Sequence, residues 1–436
     1  MATPTPRKRK KAARGAGLRA SERGVALIMV TAVIAVLTAV AVEFTYRERV
    51  SMHLAANARD ALRAEYLARS AVDLSRLILS FQTQLDSQQI PGLSELIGMA
   101  GGGATPAADP TAQQGQSGGL GIRLWELIPI DCGMVQMLVQ MAGKPPDPSD
   151  VLDPDGMPKA SFGDFDGGCR AEINDEEGRI NINQLDALGS QSKAALLQLM
   201  SLIQDPRYDF LFDEENRHGV KLTRPDLVVA LRDYIDADQM QSNLIMGAQG
   251  PEMAEGAGDE GYLYSKYDPP YEPKNAPLDS YEELYQIAGV DDDFMAAFGD
   301  RLTVYTDKNA KLNVTPKNPL DLCMKLVIAS EDPLLGVQQC QDPILMTNLW
   351  EQIQLSRAAM PWVGLQPQTF RSLLEGVGVA VNPYIWTGPN AIFGASSKTF
   401  TIEATGEVGD VTRTFIAVVR MDGSHPMGRL VHWQEK

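Results

Sequence analysis

Histidine is scarce in this chain, and the matches to catalytic motifs lack their usual context: GxSxG at 115–119 lies in a predicted loop, and GxGxxG at 256–261 follows acids rather than a strand. The 436 residues include only four histidines, which are His53, His218, His425 and His432. None stands in an HExxH pattern or at a spacing from cysteine that suits zinc, and the phosphate-binding patterns GxxxxGKS and GxxxxGKT do not occur. We therefore expect a protein without catalytic activity.

Positive charge is scarce after residue 24. The chain has 39 Lys and Arg against 56 Asp and Glu, a net charge of −17. Residues 1–24 hold eight basic side chains and one acid, so the remainder carries −24. Such an acidic body repels phosphate backbones, and we expect no nucleic-acid partner. The stretch LYQIAGV at 284–290 resembles the hairpin of helix-hairpin-helix DNA-binding modules, but three aspartates follow it directly.

Cysteine is also rare in the chain. The four cysteines are Cys132, Cys169, Cys323 and Cys340. An even number of cysteines is typical of a protein that forms disulfides in an oxidising compartment, and we expect two bridges. The sequence leaves open which cysteine pairs with which.

One long apolar run lies near the N-terminus. Residues 25–42 read VALIMVTAVIAVLTAVAV, eighteen residues without charge, glycine or proline, which is near the lower limit for a membrane span. The basic residues before it predict a cytoplasmic N-terminus and an exported remainder. A cleaved secretory signal is the alternative, but its small-residue cleavage site should follow the apolar run, where the chain reads EFTYR.

The span continues into a segment that favours one long helix. No glycine or proline occurs from residue 25 to residue 90, and the intervening sequence is rich in Ala, Leu, Arg and Glu. Small and apolar side chains recur from Leu54 through Ala68 and Val72 to Leu79, and such a stripe should pack against a sheet or other helices. A membrane anchor with a helical stalk explains this pattern equally well.

Beyond residue 90 the chain alternates between loops, strands and helices. Residues 91–120 and 143–155 are rich in glycine, proline or aspartate and predict loops. Alternating apolar and polar residues predict a hairpin at 169–183 and further strands at 398–404, 412–420 and 428–435. The region between reads mostly as helix, with segments at 193–203, 225–235, 280–287 and 344–358.

The junction around Gly24 resembles the class III leader of type IV pilins and pseudopilins. In that family a basic leader ends in glycine, and an apolar helix follows, as Arg23, Gly24 and Val25 do here. The resemblance implies cleavage after Gly24 by the prepilin peptidase, methylation of the new N-terminus at Val25, and retention of the apolar segment as anchor and filament core.

Longer stretches are similar to one member, the minor pseudopilin K of type II secretion systems (general secretion pathway protein K). They occur in the family's order along most of the chain: AEYLARSA at 64–71, EINDEEGRININ at 172–183, LRDYIDAD at 231–238, DPPY at 268–271, KNAPLDS at 274–280 and LNVTP at 312–316. The resemblance implies an α+β fold with a long N-terminal transmembrane helix, a pilin-like antiparallel sheet and a large α-helical insertion of modules similar to the sterile alpha motif.

The resemblance also implies a division of the chain. We expect a leader at 1–24, a transmembrane and stalk helix at 25–90, and the first part of the pseudopilin domain at 91–185. The helical insertion then covers 186–394, as two modules at about 186–295 and 296–394. C-terminal strands at 395–436 complete the pseudopilin domain.

Met29 departs from most pilins, which carry glutamate five residues into the mature chain. That carboxylate is thought to neutralise the N-terminal amine of the subunit already in the filament, and an unpaired carboxylate in hydrocarbon would be costly. A subunit that enters first meets no earlier amine, so Met29 is consistent with a filament tip. Met29 is alternatively one more apolar anchor residue.

A cluster of acids predicts a cation site in the insertion. Closely spaced carboxylates on irregular backbone suit Ca²⁺, which takes six to eight oxygen ligands. The acids are Asp233, Asp236, Asp238, Glu252, Glu255, Asp259 and Glu260. The family resemblance implies calcium at Asp236, Asp238, Asp259 and Glu260, while a solvated acidic loop is the alternative.

Together these features predict an inner-membrane subunit, facing the periplasm, at the tip of a type II secretion pseudopilus. The expected partners are other minor pseudopilins, the major pseudopilin, the prepilin peptidase, and secreted cargo or the outer-membrane channel. The alternative is a bitopic protein of a DNA-uptake or adhesion pilus with a ligand- or DNA-binding domain.

Overall fold

The computed structural model describes residues 18–87, 123–133, 167–187, 189–215, 219–247, 250–359 and 363–436. The predicted loops at 91–120 and 143–155 and most of the leader lie outside these ranges. The chain divides into two compact units, residues 1–63 and residues 64–436. The predicted α+β class is confirmed, with a long apolar N-terminal helix and an antiparallel sheet.

The described ranges contain both helices and strands. The α-helices are Leu18–Ser87, Leu124–Leu127, Ser190–Ile203, Phe210–Asp213, Arg224–Asp233, Gly261–Tyr264, Asp292–Phe298, Pro319–Ala329, Pro333–Cys340, Pro343–Ala359 and Pro367–Gly376. The strands are β1 Ile130–Asp131, β2 Gly168–Asp175, β3 Ile180–Asn181, β4 Met240–Gly247, β5 Gly250–Asp259, β6 Leu302–Thr303, β7 Leu312–Asn313, β8 Phe393–Gly394, β9 Thr399–Val408, β10 Val411–Arg420 and β11 Arg429–Glu435.

The first unit contains the apolar run. Its side chains are exposed, and an 18-residue window within it has a mean hydropathy of 2.9. By length and composition this helix is able to cross a membrane. The Thr31 hydroxyl donates to the Ile28 carbonyl at 3.0 Å, and the Thr38 hydroxyl donates to the Ile34 carbonyl at 2.7 Å. Both hydroxyls are therefore satisfied without water.

The second unit places the end of the long helix against a five-stranded sheet. The strand order is β1-β2-β9-β10-β11, and every pair is antiparallel. Burial begins at Ala64, and the expected sheet contact of Ala68, Val72 and Leu79 is present. Leu54, which belongs to the same predicted stripe, is exposed.

Gly406 in β9 determines how closely helix and sheet approach. A Cβ at this position would lie 2.0 Å from the Ala64 carbonyl oxygen and 2.7 Å from the Ala68 nitrogen. Ala64 and Ala68 are themselves fully buried. Small residues on both sides therefore allow the helix backbone to rest almost directly on the strand.

The three C-terminal strands form as predicted, but the hairpin predicted at 169–183 is wrong. β2 pairs with β1 and β9, whereas β3 pairs in parallel with β6. Asn181 and Asn183 are buried as well as Ile180 and Ile182, so this segment does not have the one-sided burial of a hairpin strand. The Asp175 carboxylate accepts the Glu177 N–H at 2.9 Å and closes the turn that redirects the chain.

The residues between β2 and β9 form the predominantly helical insertion, around two apolar clusters. A buried polar network joins this insertion to the sheet. Glu176 is fully buried and accepts hydrogen bonds from Thr401 in β9, from Thr303 in β6 and from Arg179. Asp175 accepts a further bond, 2.9 Å long, from the Asn313 side chain.

All four cysteines form disulfides. Cys132 pairs with Cys169 beside the β1–β2 edge, and Cys323 pairs with Cys340 between two successive helices of the insertion. The Cα atoms are 5.1 and 5.4 Å apart, within the usual range for a bridge.

Candidate metal centre

The acidic cluster lies where the helix Arg224–Asp233 ends and a hairpin begins. Thr223 and Asp226 form a capping box that fixes the start of this helix, and Pro225 occupies its first turn. Asp233 is the last helical residue, and Asp236 follows within one turn. The helix therefore presents both carboxylates at its C-terminal end.

The hairpin β4–β5 delivers the third carboxylate. Met240 at the start of β4 pairs with Asp259 at the end of β5, which brings the two ends of the hairpin together. Gly256 makes the close pairing possible, because a Cβ there would lie 2.2 Å from the Gln241 carbonyl oxygen. Glu260 follows β5 directly and so lies at the same end as Asp233 and Asp236.

Three buried carboxylates converge at this point. One oxygen each from Asp233, Asp236 and Glu260 lies within 4.8 Å of the other two. The residues are 4%, 3% and 4% exposed. Among the described residues, this is the cluster of metal-ligating side chains whose spacing suits a cation.

Several oxygens in the cluster have no hydrogen-bond partner. Asp233 Oδ1 accepts the Ser242 N–H at 3.0 Å, and Asp236 Oδ2 lies 3.4 Å from Arg232 Nε. Asp236 Oδ1 and both Glu260 carboxylate oxygens are buried without a partner in the described part of the chain. Buried, unpaired acceptors are costly, so the arrangement is incomplete without a cation or protons.

Electrostatics in the cluster follow from burial and from like charge. Burial, with the charges of Asp238 and Asp233, raises the pKa of Asp236 to about 6. Burial and the three aspartates raise the pKa of Glu260 to about 8. Burial also raises the pKa of Asp233, although the hydrogen bond from Ser242 acts to lower it. Each carboxylate is thus held where its negative charge is poorly stabilised, which a bound cation would reverse.

Asn275 lies beside Glu260. Its backbone adopts the left-handed conformation, φ 49°, and its N–H donates to the Tyr234 carbonyl at 3.0 Å. The side-chain nitrogen of Asn275 donates to the backbone carbonyl of Asp238. The side-chain oxygen of Asn275 is buried without a partner in the described ranges. Its amide lies close enough to Glu260 to lower that residue's pKa slightly. Carboxylate and amide oxygens are the ligands that calcium prefers, so these residues fit the ion.

The predicted ligands divide into two groups. Asp236 and Glu260 lie in the cluster, whereas Asp238 and Asp259 are exposed and lie outside it. Asp238 accepts the Met240 N–H at 2.8 Å, and Asp259 accepts the Gly261 N–H at 2.9 Å, so both serve local turns. Asp233 belongs to the acidic stretch that predicts the site, but the ligand set implied by the resemblance does not include it. Its three-residue spacing from Asp236 near a helix end is the signal that points to it.

The backbone between Asp238 and Glu260 also differs from expectation. Its described residues form two paired strands, with a register shift between Met240 and Ser242, rather than the irregular acidic loop expected from its glycines and acids. Leu244 and Met253, from facing strands, pack against the core of the insertion.

The residues expected to direct processing lie on the long helix. A Cβ added at Gly24 would meet nothing within 4 Å, and Val25 and Met29 are 52% and 63% exposed. The cleavage at Gly24 and the filament role of Met29 remain predictions. In the stretch 284–290, Leu284, Ile287 and Ala288 are buried, so packing accounts for the sequence that resembles a DNA-binding hairpin.

Comparison with known proteins matches the region that holds the cluster. Residues 178–307 match the family described as type II secretion system (T2SS), protein K. The type II secretion system protein K of Klebsiella pneumoniae is 25% identical over 221 residues, which are 47% of this chain and 60% of that protein. The chain thus spans about three fifths of the length of this curated relative.

A solved structure also resembles the chain. It is the crystal structure of the GspK-GspI-GspJ complex from the enterotoxigenic Escherichia coli type 2 secretion system, with 14% identity and a TM-score of 0.37. The match covers 62% of this chain and 80% of the solved one, and a TM-score at this level does not establish a shared fold. Residues 178–307 are thus similar to the type II secretion system protein K family, and the Klebsiella protein K is similar to 47% of the chain.

Proposed function

We propose that this chain is a minor pseudopilin of a type II secretion system and that it works by assembly rather than by catalysis. One observation carries the proposal. The family match at residues 178–307 occurs in a chain whose N-terminal helix contains an apolar span directly after a basic segment ending in Gly24.

The N-terminal segment would anchor the chain in the inner membrane. Eight basic residues before the span favour a cytoplasmic leader, with the folded remainder in the periplasm. Cleavage after Gly24 by the prepilin peptidase would leave Val25 as the new N-terminus. The two disulfides support an oxidising compartment for the remainder.

Met29 supports a position at the tip of the filament. A subunit that enters first has no preceding amine to neutralise, and an apolar side chain at this depth avoids the cost of an unpaired carboxylate. Later subunits, the other minor pseudopilins and the major pseudopilin, would pack their apolar helices below it.

The insertion supports the same position. It lies between β2 and β9 in the chain and is built around two apolar clusters, of which the first also includes Val418 in β10, so it is a bulky addition to the pseudopilin domain. At the tip it would block the addition of a further subunit and would face secreted cargo or the outer-membrane channel.

We further propose that the insertion binds calcium. Asp233, Asp236, Glu260 and the Asn275 side-chain oxygen would hold the ion. The ion would supply positive charge to buried carboxylates and would join the helix end, the hairpin and the loop at Asn275. This role is structural.

The processing step tests the assembly proposal. In a bacterium with the matching secretion system, Gly24→Ala should leave an uncleaved precursor in the membrane and stop export of the secreted proteins. Gly17→Ala, a glycine in the same leader, should be cleaved and should support export. Normal cleavage of the Gly24→Ala chain would contradict the proposal.

A further inference from the structure

The hairpin β4–β5 lies on the insertion at its far end as well as at its base, because Gly250 is buried and a Cβ there would lie 3.3 Å from Pro333 Cγ. Its two strands form a sheet of their own, without a third strand among the described residues. Two-stranded hairpins are marginally stable in water unless they pack against something else. Leu244 and Met253 provide that packing, while Ile245 and Met246 on β4 are 42% and 64% exposed.

Both ends of the hairpin are tied to the carboxylate cluster. The Ser242 N–H near the start of β4 donates to Asp233, one of the clustered carboxylates. Met240 and Asp259 are paired across the base of the hairpin, and Glu260, the next residue, is itself in the cluster. The chain therefore enters and leaves the hairpin at the cluster.

Burial of the carboxylates at this base opposes closure when no cation is bound. Asp233 and Asp236 come from the helix end and Glu260 from the hairpin, so closing the gap takes all three out of water and leaves Asp236 Oδ1 and both Glu260 oxygens without a partner in the described ranges. The one basic partner that lies against the three carboxylates in the described ranges is Arg232, 3.4 Å from Asp236. Glu260 has no ion pair among the described residues.

A cation reverses this balance because its ligands come from both sides of the gap. An ion held by Asp233 and Asp236 on one side and by Glu260 on the other attaches the hairpin to the helix. Opening the base would then require the ion to lose part of its coordination. Closure of the hairpin and retention of the ion are thus one event.

We infer that calcium acts as a latch for the β4–β5 hairpin, which is held closed on the insertion when the ion is bound and opens at its base when the ion is removed. This inference rests on the calcium site in the proposed function. It adds that the ion controls one element and with it the placement of the exposed pair Ile245 and Met246. The sheet β9–β10, which lies outside the cluster, should not respond.

Hydrogen exchange measured by mass spectrometry on the full chain in detergent micelles tests the latch. Calcium binding is measured first on the same sample by isothermal titration. Exchange is then compared in excess Ca²⁺ and in EGTA, for peptides from 240–259 and from 399–420. At calcium 100-fold above Kd, openings that release the ion should become about 100-fold rarer. We expect the hairpin amides to exchange at least about tenfold more slowly with calcium, with no change in β9–β10.

Two variants sharpen the test. Asp236→Asn removes one clustered charge and should abolish the calcium effect on the hairpin, with exchange in β9–β10 unchanged as evidence that the variant folds. Asp293→Asn removes an exposed acid elsewhere in the insertion and should behave like the wild type. Calcium that binds without slowing hairpin exchange, or that slows exchange equally throughout, would overturn the latch and leave the calcium site intact. Absence of calcium binding would overturn both.

Discussion

Replacing Gly406 with alanine should weaken the contact between the long helix and the sheet. The added Cβ would lie 2.0 Å from the Ala64 carbonyl oxygen, 3.0 Å from its carbonyl carbon and 2.7 Å from the Ala68 nitrogen. All three atoms are backbone, so no side chain can rotate away. The helix has to move off the strand.

The cost follows from what that movement exposes. Overpacking a well-packed core typically costs about 1–3 kcal/mol. Because Ala64, Ala68 and Ala71 are all fully buried on this face, separation leaves a gap along about two turns, and we expect a cost of about 3 kcal/mol. A loss of that size corresponds to roughly 6–12 °C in Tm for a large domain.

Thermal and urea unfolding of the full chain in detergent, followed by circular dichroism, measure the effect. Gly168→Ala is the matched control, since Gly168 lies in the neighbouring strand β2 and a Cβ there meets nothing within 4 Å. The control should change the free energy of unfolding by no more than about 1 kcal/mol. A Gly406→Ala protein as stable as the control would refute the close-contact reasoning.

Three further predictions concern stability. Burial and Asp175 raise the pKa of Glu177 to about 8, so the folded state keeps a proton that the unfolded state releases, and stability should fall as pH rises from about 4.5 to about 8. Glu177→Gln should reduce the slope of the unfolding free energy against pH by at most about 1.4 kcal/mol per pH unit. An unchanged slope in urea titrations would contradict the assignment of this pH dependence to Glu177. Replacing Cys323 and Cys340, 17 residues apart, by serine should cost about 3 kcal/mol in urea unfolding, and an unchanged midpoint would contradict a native bridge. Calcium at 100-fold above Kd should add about 2.7 kcal/mol to the wild type and none to Asp236→Asn, and an equal gain in both would place the ion elsewhere.

The elements that the sequence predicted well are those with strong local signals. The helix from residue 25 onward has no glycine or proline to interrupt it, and it is helical to Ser87. The three C-terminal strands alternate apolar and polar residues and have glycine-containing turns between them, and all three are present. In these segments local propensity and tertiary packing favour the same structure.

The elements that the sequence predicted badly depend on partners distant in the chain. Strand β5 contains Pro251, Gly256 and Gly258 and has little β-propensity, but Met253 packs on the core and Gly256 permits close pairing. Strand β3 lies in a segment with the alternation of a hairpin strand, yet Ile180 and Asn181 are both buried and its partner is β6. Neither contact can be derived from neighbouring residues.

The candidate site was predicted in part for the same reason. Asp236 and Glu260 are recognisable as acids in a dense acidic stretch, but the selection among its members is made by geometry. Asp238 and Asp259 are exposed and accept hydrogen bonds within local turns. Asp233, at the helix end, is buried beside Asp236 and Glu260. Asn275 comes from a loop that the sequence gives no reason to associate with the acids.

The assembly account depends most directly on the N-terminus of the mature chain. Intact-mass measurement and N-terminal peptide sequencing of the wild-type protein, purified from membranes of a bacterium with the matching secretion system, determine it. The account predicts a chain that begins at Val25, methylated on its amine, with the apolar span retained. A chain that still carries the leader, or one cut after residue 42, would contradict it.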